Sequence, residues 1–154
     1  MTPSKRLAEL GIVLPTVAAP IGSYLPAVRV GRIAYTSGQV PLREGKIVRA
    51  GKVPGDLAIA DAADGARISA LNAIAAIASL VGGVDKIARI VRVCVYVNSS
   101  PGFTEQPKVA NGASDLLFQI FGEAGRHSRA AVGVSELPVN AAVEVEVMAE
   151  LAEE

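Results

Sequence analysis

Residues 127–150 read HSRAAVGVSELPVNAAVEVEVMAE. The second half alternates strictly, with Val143, Val145 and Val147 on one face and Glu144, Glu146, Met148 and Glu150 on the other, the period of two that a half-buried strand requires. A shorter apolar run, 129–134, precedes it and begins at Arg129. Pro138 lacks a backbone donor and is excluded from a central strand, while Asn140 suits a turn. The two runs are therefore expected to fold back on each other as an antiparallel pair, which would let Arg129 share a cavity with a glutamate.

The 154 residues suit a single domain spanning 1–154, long enough to bury a core without disulfide or metal help. Apolar residues make up 51% and charged ones 19%, with no Trp, so part of the apolar surface is expected to be buried between subunits. Lys plus Arg equals Asp plus Glu at 15 each. No positive field results, and nucleic-acid binding is disfavoured. One cysteine, Cys94, and one histidine, His127, provide neither a disulfide framework nor zinc-spaced ligands, so no metal or redox chemistry is expected. The amino terminus lacks the small-residue cleavage site of a secretory signal, and no stretch approaches the roughly 20 apolar residues of a membrane span. The cytoplasm is the default location.

Along the chain, residues 4–10 suit a short amphipathic helix ended by Gly11, and Pro15 and Pro20 force an extended segment. Residues 24–30 and 32–37 read as two strands meeting at Gly31, the second running into Thr36, Ser37, Gly38 and Gln39. That small-residue turn either admits a ligand close to the backbone or is an ordinary bulge. Residues 43–51 read as a polar hairpin. Asp56 is a candidate N-cap for a long helix in which Ile68, Leu71, Ile74, Ile77 and Leu80 recur at threes and Gly82 and Gly83 stop the run. Residues 87–97, IARIVRVCVYV, form the most apolar strand and are expected to be covered on both faces, with Cys94 a small buried hydrophobe and Arg89 and Arg92 on opposite faces. A second helix is placed in 103–121, packing through Leu116, Leu117, Ile120 and Phe121. His127 reads as a partly exposed structural histidine. Helices gathered on one side of a mixed sheet make an α+β sandwich.

Taken together, IGSYLPAVRVGRIAYTSGQVP at 21–41, LNAI at 71–74, IVRVCVYV and RAAVGVSELPVNAAVEVEVMA at 129–149 resemble the reactive-intermediate deaminase family, also called Rid or YjgF-type and described as endoribonuclease L-PSP-like. The likeness covers the chain from 21 onward and leaves 1–20 as an N-terminal extension. It implies a chorismate-mutase-like fold, a two-layer sandwich with two main helices on one face of the sheet. It also implies a homotrimer around a central barrel, with ligand sites in the clefts between subunits. The activity implied is hydrolysis of enamines or imines to 2-oxo acids and ammonia, with no cofactor.

Carried over position by position, the resemblance makes Arg129 the clamp for a substrate carboxylate and Glu144 the proton relay beside a bound water. A guanidinium stays charged and offers two parallel hydrogen bonds to a planar carboxylate. Tyr24, Ser37 and Gly38 match residues lining the cleft. Ala131 stands where many members have cysteine but keeps the backbone carbonyl. Asn111 matches a family asparagine once four extra residues after Phe103 are accommodated. Two rival expectations accompany this one: a noncatalytic trimer binding small carboxylates, and, third, an endoribonuclease or translation inhibitor. Read from the strands alone, Arg129 would instead be a salt-bridge partner of Glu144 or Glu146.

Overall fold

The computed structural model describes residues 1–20 and 22–154; Ile21, where the resemblance begins, lies outside them. The first helix, α1 (Pro3–Glu9), is capped by the Thr2 hydroxyl, and Gly11 follows at φ 67°. Strands β1 (Ala27–Val30) and β2 (Ile33–Thr36) form a hairpin. Two-residue strands β3 (Leu42–Arg43) and β4 (Lys46–Ile47) turn at Glu44 and Gly45, both with positive φ. Helix α2 (Ile59–Val81) precedes β5 (Ile87–Asn98), α3 (Gln106–Phe121), β6 (Ser128–Val134) and β7 (Val143–Leu151).

The main sheet runs in the order β1-β2-β7-β5-β6. Both long helices pack on one face, where Val93, Val95, Val97, Val143 and Val145 are fully buried against the alanine-rich α2 and the Leu116, Leu117 and Ile120 side of α3. Each such aliphatic side chain contributes about 1.5–3 kcal/mol by leaving water. This is the expected α+β sandwich.

The expected hairpin of the last two strands does not form. Strand β5 lies between them, parallel to β6 and antiparallel to β7. The connecting segment is pinned by Asn98, a buried amide whose Nδ2 donates to Asn140 Oδ1 at 3.2 Å and to the Ala141 carbonyl at 3.1 Å. Lys52 Nζ donates to the Asn98 Oδ1 at 3.0 Å. A buried amide is stable only when its polar atoms find partners, and these partners hold the chain as it crosses the end of β5.

Four further expectations are corrected. Asp56 is not the cap of α2: its carboxylate accepts from the Lys52 amide at 2.8 Å, and the helix starts after Ala58 with no side-chain cap. Arg89 and Arg92 share a face, because register shifts between Ile87 and Arg89 and between Ile90 and Arg92 place them opposite Glu150 and Met148. Each shift inserts a residue that resets the parity. Strand β5 is covered on only one face by this chain, so Cys94 is half-buried beside Arg92 and Glu146 rather than sealed in the core. Helix α2 is also long and apolar enough to cross a membrane, against the reading that no stretch approaches that length, but most of its surface is spent on the core.

Candidate functional site

Two separate constellations emerge, one on each face of the sheet. Residues paired across a ladder project to the same side, and Arg129 lies in one row with Val93 and Val147, on the helix-facing side. From the edge strand β6 its guanidinium reaches α3, where Nη1 donates to Asn111 Oδ1 at 2.8 Å and to Ser114 Oγ at 3.1 Å. Ala131, two residues further on the same face of β6, packs against the core.

Beyond Ser114 the network continues. Its Oγ lies 2.9 Å from His127 Nε2, and His127 Nδ1 lies 2.6 Å from the Gly125 carbonyl. A carbonyl only accepts, so Nδ1 carries the hydrogen, neutral Nε2 accepts, and Ser114 donates. Gly125 can deliver its carbonyl here because a Cβ in its place would stand 2.3 Å from the Leu117 oxygen. Burial, and secondarily the charge of Arg129, hold the His127 pKa below its ordinary 6.5, against the upward pull of the Gly125 bond. Ser114, Asp115, Phe118, Arg126, His127 and Arg129 line a pocket of about 430 Å³. Arg126 stacks over Phe118 at 4.6 Å and is paired with Glu123.

Glu144 belongs to the opposite face, in one row with Tyr96 and Val132. The half-buried carboxyl is seated on Gly38: a Cβ there would stand 2.7 Å from Glu144 Cδ. This seat exists because β2 and β7 pair at Tyr35 and Met148 and meet again at Gln39 and Val145, leaving Thr36, Ser37 and Gly38 opposite only Glu146 and Val147. The turn is therefore a bulge. Thr36 Oγ1 accepts the amide hydrogen of Val147 at 2.9 Å, and Ser37 Oγ donates to the Leu25 carbonyl at 2.6 Å. Tyr24 is half exposed, with its ring against Gly22.

Desolvation, reinforced by Glu146, raises the Glu144 pKa above its ordinary 4.5. Ionising this carboxyl costs the folded state, so its contribution to stability is fully present below about pH 4.5 and is lost as pH rises through the raised value. Tyr96 donates to Glu146 Oε1 at 2.7 Å, which with burial pushes the phenol up to about 12. Replacing Gly38 by Ala is expected to drive the carboxylate off its seat into water and bring the Glu144 pKa back toward its ordinary value. A carboxyl-carbon NMR titration reads this directly, and an unshifted titration would refute the seating.

The structure thus brings Arg129, Asn111 and Ala131 together, and Glu144 with Gly38 and Ser37, but does not join the two groups within one chain. The expected ion pair of Arg129 with Glu144 or Glu146 is replaced by bonds to neutral oxygens. Ser114 escaped the sequence reading and His127 entered it only as a structural histidine, since 13 residues separate them and neither sits in a recognisable pattern. Among the described residues no three His, Cys, Asp or Glu side chains converge to hold a metal ion. A larger cavity of about 570 Å³ lies between residues 13–19, α2 and the β3–β4 turn, lined mostly by apolar groups. Its Asn72 amide is already spent on the Val40 and Leu42 carbonyls.

Comparison with known proteins matches residues 4–151 to the family described as "YjgF/chorismate mutase-like, putative endoribonuclease". Protein TCP17 of Trypanosoma cruzi is 44% identical over 147 residues, covering 95% of this chain and 92% of that protein. A crystal structure from Shewanella oneidensis, named in the same endoribonuclease words, superposes with a TM-score of 0.94 at 40% identity, over 98% of this chain and 100% of the other. E. coli TdcF, solved with bound serine, superposes with a TM-score of 0.63 at 25% identity, over 88% and 94% of the two chains. With nearly its whole length matched and a fold shared at this level, the chain belongs to the YjgF/chorismate mutase-like family.

Proposed function

We propose that the protein hydrolyses reactive imines of 2-oxo acids, releasing ammonia, in a cleft where Arg129 of one copy faces Glu144 of the next. One observation carries the reading: a half-buried guanidinium aimed by two neutral oxygens, Asn111 Oδ1 and Ser114 Oγ, with no carboxylate in salt-bridge contact among the described residues. Such a group is oriented yet uncompensated, which suits a planar carboxylate ligand. The serine bound to E. coli TdcF supports a small carboxylate of that size.

A second copy supplies what one chain lacks. Arg129 and Glu144 project from opposite faces of the sheet and from strands separated by β5. The uncovered face exposes Val28, Val30, Tyr35 and Val132, an apolar surface that assembly as a trimer would bury. In the assembled cleft Asn111 and the Ala131 carbonyl line the Arg129 side, and Tyr24, Ser37 and Gly38 line the Glu144 side.

The carboxylate docks on Arg129 and water adds to the imine carbon, forming a new C–O bond as the nitrogen takes a proton. The hydroxyl proton then passes to the amino nitrogen, the C–N bond breaks, and ammonia leaves with the bonding electron pair as the ketone forms. Glu144 serves both transfers, since its raised pKa keeps the acid form available closer to neutrality. No cofactor is needed.

The test is ammonia and 2-oxo acid release from imino acids generated in situ. The wild type is expected to exceed spontaneous hydrolysis, and Glu144→Gln to lose about 100-fold in kcat while still binding 2-oxo acids. A wild type that binds 2-oxo acids without accelerating release would instead identify a carboxylate-binding protein. Ala131, in place of a thiol, is the feature that favours that second reading. Zero net charge and a single histidine give an RNA-cleaving reading less support.

A further inference from the structure

We propose that Ser114 and His127 complete the anion clamp as positioning residues, aiming Arg129 and taking up a proton when a carboxylate binds there. The inference rests on the carboxylate reading of Arg129 given above and extends it to two residues outside the family pattern.

Ser114 lies three residues after Asn111 on α3, so both side chains rise from the same helix face, and both accept from Arg129 Nη1. Ser114 can face the guanidinium with its lone pairs only if its own hydrogen is directed elsewhere. His127 Nε2 takes that hydrogen, and the Gly125 carbonyl fixes the tautomer that makes Nε2 an acceptor. Four hydrogen bonds thus join the turn before β6, helix α3 and strand β6 around one guanidinium.

The charged groups that share its pocket with His127 are Arg129 and Arg126 on its own segment and Asp115 on α3; Arg126 is paired with Glu123 in the preceding turn. In the empty site, burial and Arg129 keep the imidazole neutral. An anion held by Arg129 offsets that guanidinium and makes the imidazolium easier to form. On protonation Nε2 donates to Ser114 Oγ, which keeps a lone pair for Arg129, so the clamp persists. Because the bound state holds its proton to higher pH than the free state, affinity rises as pH falls between the two values.

The experiment is calorimetric titration of the full-length protein with pyruvate from about pH 8 to about pH 5, in buffers of different ionisation enthalpy. The wild type is expected to bind about fivefold more tightly at the acid end, with net proton uptake. His127→Gln and Ser114→Ala should both bind more weakly throughout, and His127→Gln should lose the proton uptake that Ser114→Ala, which keeps the imidazole beside Arg129, retains. Uptake unchanged in His127→Gln, or absent from the wild type, overturns the relay while leaving the clamp in place. Pyruvate binding unchanged in Arg129→Ala overturns the relay together with the carboxylate reading.

Discussion

Replacing Arg129 with alanine is expected to cut 2-oxo acid affinity and imine hydrolysis by about 30-fold to about 3,000-fold, with the fold intact. Removing one partner of a desolvated charge pair costs about 2–5 kcal/mol, and a tenfold change corresponds to about 1.4 kcal/mol. The fold should survive because, among the described residues, the guanidinium holds no ion pair and its side-chain bonds are to two oxygens on α3. Each of those charge-assisted bonds contributes about 1.5–3 kcal/mol to stability, toward the low end here because the arginine is only half-buried. Lysine at the same position is the sharper variant. It preserves the charge but not the planar fork, so it should recover less than about a tenth of the lost affinity. Isothermal titration with pyruvate, beside the ammonia assay and a thermal melt, separates these outcomes. A lysine variant equal to the wild type would mean that Arg129 acts as a point charge, and an alanine variant equal to the wild type would remove it from the site.

What could be read from the chain beforehand follows from the range over which each signal acts. Strict alternation identified β7 and its buried face, because parity is a property of one strand. Parity says nothing about the neighbour, so Pro138 and Asn140 were read as a hairpin turn although the segment carries the chain past β5. The residue that fixes that crossing, Asn98, lies more than 40 positions away and looks like any strand-ending asparagine. The same limit governs the site. Arg129 stood out as a charge in an apolar run, and Asn111 was carried over only by resemblance, yet the structure bonds them at 2.8 Å. The turn at Gly38 reads either as room for a ligand or as an ordinary bulge, and within one chain the group it admits is the Glu144 side chain. A glycine announces close approach without naming what approaches.

Helix packing shows the same ambiguity with the largest expected consequence for stability. Gly65 in α2 and Gly112 in α3 are both interior helical glycines, and propensity alone favours alanine at each by about 1 kcal/mol. At Gly65 an added Cβ would meet Arg49 Cβ at 3.1 Å and Val143 Cγ2 at 3.5 Å. The nearer contact is a Cβ tied to its own backbone, but at 3.1 Å it needs to give by only a few tenths of an ångström. At Gly112 the Cβ would stand 1.9 Å from the Ala63 carbonyl oxygen and 2.7 Å from its carbonyl carbon. Backbone cannot step aside there unless α2 and α3 separate, which would open the interface in which Ala62, Ala66, Val109 and Ala113 are fully buried. Overpacking of a well-filled core costs about 1–3 kcal/mol, occasionally more, and contact against helix backbone falls at the upper end. Gly112→Ala is therefore expected to lose about 2–3 kcal/mol net of propensity, a fall of about 5–10 °C in Tm for a domain of this size. Gly65→Ala should stay within about 1 kcal/mol of the wild type, on the stabilising side if the chain at Arg49 gives by those few tenths of an ångström. Melts of both variants at one protein concentration decide the matter. If Gly112→Ala melts at or above the wild type, the close approach of α2 and α3 at Ala63 is wrong, and with it the placement of Asn111 and Ser114 behind Arg129.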